Sequence, residues 1–117
     1  MPITLYGIPN CDTVKRARAW LADHGQAVQF HDFKREGLQP DDARQWLAAL
    51  GRDALINRRG TTWRALEPAQ QALAETDEGA LALMLAQHSV IKRPVVRWPD
   101  ARLTVGFDAT AWAGRLG

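Results

Sequence analysis

The hydrophobic period of this chain switches twice before residue 33, and few folds accommodate that pattern. Ile3-Thr4-Leu5-Tyr6 is a short β-prone run that stops at Gly7-Ile8-Pro9-Asn10, a cluster of turn formers. From about Cys11 the apolar residues Val14, Ala17 and Leu21 recur at i, i+3 and i+7, flanked by Trp20 and Ala22. That spacing predicts an amphipathic helix, for which Gly25 is a natural C-terminal stop. Ala27 to Asp32 alternates and reads as a second strand. Strand, helix and strand so close together form a βαβ unit, whose two strands are parallel with a right-handed crossover.

The middle of the chain reads as helical. Pro40 suits a first helical position, Asp41 and Asp42 suit the positive helix end, and Ala43, Trp46, Leu47 and Leu50 share one face up to Gly51. Ala54 to Gly60 looks like a turn of helix running into a loop. Thr61 or Thr62 then caps a short segment carrying Trp63 and Leu66, which Pro68 interrupts. Asp77 is the expected cap of a helix with Leu81, Met84, Leu85 and His88 on one face. Beyond it, Val95 to Trp98 and Arg102 to Val105 read as an antiparallel hairpin turning at Pro99-Asp100. Asp108 is the expected N-cap of a last helix, with Phe107 and Trp112 at the spacing of a hydrophobic staple.

The order is therefore β-α-β, several helices, then β-β-α. It implies an α/β fold with a four-stranded mixed sheet of thioredoxin-like or glutaredoxin-like shape, carrying an inserted helical lobe at about 40–88. With 117 residues, no internal repeat and no linker, residues 1–117 are expected to form one domain. No apolar run approaches the roughly 20 residues needed to cross a bilayer, and no secretory signal is visible, so the cytoplasm is the expected location. Twelve arginines and three lysines face thirteen carboxylates, a net charge of +2. The cations are scattered rather than clustered on one face, which argues against a nucleic-acid footprint.

One cysteine excludes an intramolecular disulfide, a C-x-x-C motif and a multi-cysteine zinc site. The three histidines, His24, His31 and His88, are dispersed without metal-ligand spacing, and no metal or permanently bound cofactor is expected. Cys11 itself follows the first strand at the start of the first helix. Unpaired backbone N–H groups there, and the helix dipole, favour a thiolate. Lys15 and Arg16 add to this and Asp12 opposes it. Cys11 sits in a turn among polar neighbours rather than on the Val14/Ala17/Leu21 face, so it reads as reactive rather than as a core residue. Arg93-Pro94 lies just before the third strand, where such a fold returns the chain toward the helix N-terminus. An X-Pro bond in that turn is a candidate for the cis form, and Arg93 would offer an always-charged fork to a carboxylate or oxyanion.

Three stretches carry a resemblance: Tyr6 to Ala17 (Y-G-I-P-N-C-D-T-V-K-R-A), Asn57 to Arg64 (N-R-R-G-T-T-W-R) and Lys92 to Val96 (K-R-P-V-V). The chain resembles the arsenate reductase-related (ArsC) family, which also holds the Spx-type regulators, and within it the YffB-like branch. The resemblance implies a glutaredoxin-like core with a helical insertion and a thiol chemistry that passes through a glutathione mixed disulfide. It implies Cys11 as nucleophile and Arg93 as the arginine before the cis proline. Asn10, Thr13, Lys15 and Arg59 are the further candidates for binding glutathione or another anion.

The chain departs from glutathione-coupled arsenate reductases at four places. Gly7 stands where a histidine would be, Val14 where a serine would be, and Asn57 and Val105 where arginines would be. A Spx-type C-x-x-C switch would need a cysteine at Val14. The expected activity is therefore a glutathione-dependent thiol oxidoreductase with glutathione as co-substrate and a small-molecule or protein disulfide as partner. The alternatives are a Spx-like regulator that binds RNA polymerase and, third, a true arsenate reductase.

Overall fold

The computed structural model describes residues 2–116. Four strands, β1 (Ile3–Gly7), β2 (Val28–Asp32), β3 (Val95–Arg97) and β4 (Leu103–Val105), form one mixed sheet in the order β2-β1-β3-β4. β1 and β2 are parallel, with Ile3 opposite Val28 and Gly7 opposite Asp32. β3 runs antiparallel to β1, with Tyr6 opposite Val95, and β4 runs antiparallel to β3. Helix α1 (Asp12–Asp23) makes the crossover between β1 and β2. The chain is an α/β protein of the thioredoxin-like kind, as its element order implies.

Two compact units are resolved, Met1–Glu36 with Arg93–Gly117, and Gly37–Lys92. The first holds the sheet, α1, the one-turn helix α2 (Phe33–Glu36) and the last helix. Its core joins Ile3, Leu5, Val96 and Trp98 of the sheet side to Val14, Ala17 and Leu21 of α1 and to Trp112. Helix α1 buries the stripe that its i, i+3, i+7 spacing predicts, and Gly25 leaves the helix at φ 69°, a conformation that excludes most L side chains. Trp112 sits among aromatic rings, with centroids 4.8 Å from Phe107, 5.1 Å from Trp98 and 5.8 Å from Trp20, all near edge-to-face. Buried Trp98 donates its Nε1–H to Thr104 Oγ1 at 2.9 Å, so no polar cost offsets its burial.

The second unit contains α3 (Pro40–Leu50), α4 (Arg52–Leu55), α5 (Thr61–Ala65), α6 (Pro68–Gln71), a 3₁₀ turn (Ala72–Glu75), α7 (Asp77–Ala86) and a second 3₁₀ turn (His88–Val90). Ala43, Trp46 and Leu47 of α3 are buried, as are Leu55, Ile56, Val90 and Ile91. An antiparallel bridge between Ile56 and Ile91 ties the two arms of the unit together. Asn57 N–H donates to Val90 O, and Lys92 N–H to Leu55 O, both at 2.7 Å.

Four local expectations are corrected here. Gly60, not a threonine, caps α5, and Thr61 is its first residue. Pro68 opens α6 at the first helical position instead of interrupting a segment, because the N–H it lacks has no partner there in any case. Thr76 rather than Asp77 caps α7, its Oγ1 accepting from Gly79 N–H at 3.0 Å. The buried face of α7 is Ala80, Leu83 and Met84, while Leu85 is exposed and His88 falls in the following 3₁₀ turn. Asp77-Glu78-Gly79 is followed by a run apolar on every side, so periodicity could not choose a face. Close packing chooses it: a Cβ on Gly79 would run into the carbonyl oxygen of Leu73. The last helix, α8 (Ala109–Leu116), begins as predicted, with Asp108 Oδ1 accepting from Ala111 N–H at 3.1 Å.

Candidate functional site

Cys11 is the N-cap of α1. Its backbone is extended (φ −111°, ψ 124°), and its side chain makes no capping hydrogen bond. The first N–H groups of a helix have no intrahelical acceptor, so the thiol stands beside donors that the helix itself does not use. The cysteine is free and half-buried, packed against the edge of the first unit's core. Thr13 is half-buried, whereas Asn10, Asp12 and Lys15 are exposed. Asn10, Cys11, Thr13 and Lys15 thus stand together on the turn and first coil of α1.

The Arg93-Pro94 bond is cis. Sheet register places it: Tyr6 faces Val95, so Pro94 lies beside the end of β1 from which the Cys11 loop departs. Pro94 is buried and its carbonyl accepts from Gly106 N–H at 2.8 Å, while Arg93 is half-buried. The fold therefore carries Cys11 and Arg93-Pro94 on the same end of the sheet.

Arg59 belongs to the second unit. Asn57 Oδ1 accepts from Arg59 N–H at 3.2 Å, closing a side-chain turn that holds the Asn57-Arg58-Arg59-Gly60 loop. The two neighbouring arginines differ in what they do. Arg58 lies 5.2 Å from the Trp63 ring centroid and 3.6 Å from Asp53, so its charge is engaged. Arg59 is exposed and takes part in no ion pair recorded among the described residues.

Gly7 and Val14 stand seven positions apart along the chain as two departures from a polar site; in space they are one. A Cβ on Gly7 would lie 2.8 Å from Val14 Cγ2, closer than real Cβ atoms come to a neighbour. Val14 is completely buried and Gly7 is buried. A side chain at 7 would crowd the valine at 14 and force one of them to shift, so the loop bearing Cys11 rests on an apolar contact. The signal was present as a glycine at a strand end with a β-branched residue seven positions on, but only the fold shows that they touch. Among the described residues no group of three or more His, Cys, Asp or Glu is placed to hold a metal, and no helix is long and apolar enough to cross a membrane.

Residues 6–114 match the ArsC family. The chain belongs to the ArsC family. An uncharacterized protein of Haemophilus influenzae is 41% identical over 107 residues, 91% of each chain. The global transcriptional regulator Spx of Streptococcus pyogenes is 26% identical over 108 residues, 91% of this chain and 78% of the regulator. Among solved structures, a YFFB protein superposes with a TM-score of 0.89 at 46% identity, covering 98% of this chain and 99% of that one. An arsenate reductase (ArsC) related protein from Brucella melitensis gives 0.75 at 43% identity, covering 99% and 95%. This ArsC-family chain has a cysteine at the start of α1 and a cis proline just before β3, and fills the space between residues 7 and 14 with hydrocarbon.

Proposed function

We propose that this ArsC-family protein is a glutathione-dependent thiol oxidoreductase working through Cys11. The observation that carries the reading is the position of the only cysteine: free, half-buried, uncapped, at the N-terminus of α1 and on the same sheet end as Arg93-Pro94. In the first step Cys11 thiolate attacks the glutathione sulfur of a mixed disulfide. A bond forms between the two sulfurs, the original S–S bond breaks, and the substrate thiolate leaves and takes up a proton. In the second step the thiolate of another glutathione attacks the glutathione sulfur held on Cys11. Oxidised glutathione departs and Cys11 returns as thiolate. The second thiol has to come from outside, since the chain offers no other cysteine.

Arg93 provides a fixed fork for a glutathione carboxylate, and Lys15 a second cation one turn along α1. Backbone N–H groups from Asn10 to Thr13 stabilise the negative charge that develops on sulfur. Cys11→Ser abolishes turnover in a glutathione-coupled disulfide assay on this account; a variant that retained activity would refute the mechanism.

The Spx relative supports a second reading, an interaction protein that docks on RNA polymerase. It is the weaker one, because Val14 occupies the place of the second switch cysteine and is fully buried. Stable capture by the polymerase α subunit's C-terminal domain, unchanged by Cys11→Ser, would favour it. Arsenate reduction ranks third, since Gly7 and Val14 leave an apolar contact where polar groups would receive the oxyanion. Growth on arsenate of a strain lacking its own reductase tests it.

A further inference from the structure

Helix α1 continues the line of Cys11 along one face. Lys15, Arg18, Ala19 and Ala22 follow the cysteine at i+4, i+7, i+8 and i+11, the spacings that stack side chains above one another. These four residues, with Gln26 and with Val28 and Phe30 of β2, line an open groove of about 500 Å³ that holds no carboxylate among the described residues. Arg18 lies 4.1 Å from the Phe30 ring centroid, so an aromatic floor and a cation are joined. Neither Lys15 nor Arg18 takes part in an ion pair recorded among the described residues. The adjoining concavity beyond Phe30 is mixed in charge, with Arg35 beside Asp32 and Glu36, whose oxygens accept from Lys34 N–H and Asp32 N–H.

The groove also borders an open sheet edge. β2 is the edge strand, and Ile3 N–H donates to Ala27 O. In a parallel ladder this turns the backbone groups of Gln29 and His31 toward β1 and those of Val28 and Phe30 outward. Glu36 closes the edge at Asp32. From Cys11 to Ala22 the face runs roughly 16 Å at ~1.5 Å per residue, which is about five residues of extended chain and longer than a tripeptide.

We propose that this groove docks an extended acidic segment of a protein substrate along β2 and delivers that segment's glutathionylated cysteine to Cys11. The inference rests on the thiol-exchange reading above and names its substrate class. In the docked complex the segment's S–S bond breaks, glutathione's sulfur joins Cys11, and the segment leaves as a thiol after taking a proton from water.

The test separates docking from chemistry. Fluorescence polarisation compares two labelled cysteine-free peptides, identical except for Asp/Glu against Ser/Gln flanks, on the Cys11→Ser protein. Binding of the acidic peptide about tenfold tighter or more, weakened by added salt and lost in Arg18→Glu, is expected. Amide shifts of Val28 and Phe30 on titration report the strand pairing. Equal binding of the two peptides, or displacement of the acidic one by reduced glutathione at its own binding concentration, overturns the proposal; displacement assigns the groove to glutathione instead. Acidic-peptide binding without release of glutathione from the glutathionylated peptide by the native protein overturns the exchange reading and leaves the docking surface. Turnover of a small glutathione mixed disulfide with no preference between the two peptides overturns the docking and leaves the exchange reading.

Discussion

A methyl group on Gly7 would meet Val14 Cγ2 at 2.8 Å, and Val14 is packed on all sides. Two residues that look independent along the chain therefore share one volume beneath the Cys11 loop. Gly7→Ala is expected to destabilise the fold by about 1–3 kcal/mol through overpacking. Val14→Ala alone costs a similar amount by leaving a cavity, about 1–3 kcal/mol. The double variant should cost less than the sum by at least about 0.5 kcal/mol, because the added methyl enters the space the valine vacates. Urea unfolding of the four proteins measures this coupling, and strictly additive losses would show that the two residues do not compete. The same contact puts hydrocarbon, not a polar side chain, directly beneath the Cys11 loop.

At the level of elements, α7 and α8 make opposite cases. An exposed helical Gly→Ala change ordinarily stabilises by up to about 1 kcal/mol. Gly79→Ala should instead destabilise by about 2 kcal/mol or more, since its Cβ collides with the rigid backbone of Leu73 rather than with a side chain that can turn away. A raised urea midpoint in Gly79→Ala would contradict that packing. Asp108→Ala removes the acceptor for Ala111 N–H and should cost about 1 kcal/mol, read the same way. Legibility in the sequence followed these physical differences. α1 has a clean apolar stripe and α8 an Asp cap with a Phe107/Trp112 staple, and both stand as read. α7 is apolar all round, so the face that tertiary packing selects, Ala80, Leu83 and Met84, left no periodic trace. Thr76 and Asp77 are both good caps, and only the hydrogen bond to Gly79 N–H decides between them. At the candidate site, Cys11 and Arg93-Pro94 were legible because they stand at element boundaries. The Gly7/Val14 contact and the Arg18/Phe30 groove were not, because they join residues from different elements.

Across the whole molecule, the sheet unit is organised around Trp112 of α8, whose ring meets those of Trp20 of α1, Trp98 just after β3 and Phe107 just before α8. Trp112→Ala should cost about 3–5 kcal/mol, a large share of the stability of a domain this size, while Leu73→Ala at an exposed position should cost little. Comparing their unfolding midpoints checks that ranking, and similar losses would move the centre of the core elsewhere. The same unit holds the free thiol, the cis Arg93-Pro94 bond and the cationic face of α1. These are the elements that the proposed exchange would use, the second thiol coming from glutathione. Intact-mass analysis after mild treatment with oxidised glutathione tests that account most directly. A single glutathione adduct on Cys11, removed again by reduced glutathione and absent from Cys11→Ser, is the predicted result. No adduct under conditions that modify a control thiol would contradict it and return Cys11 to a packing role.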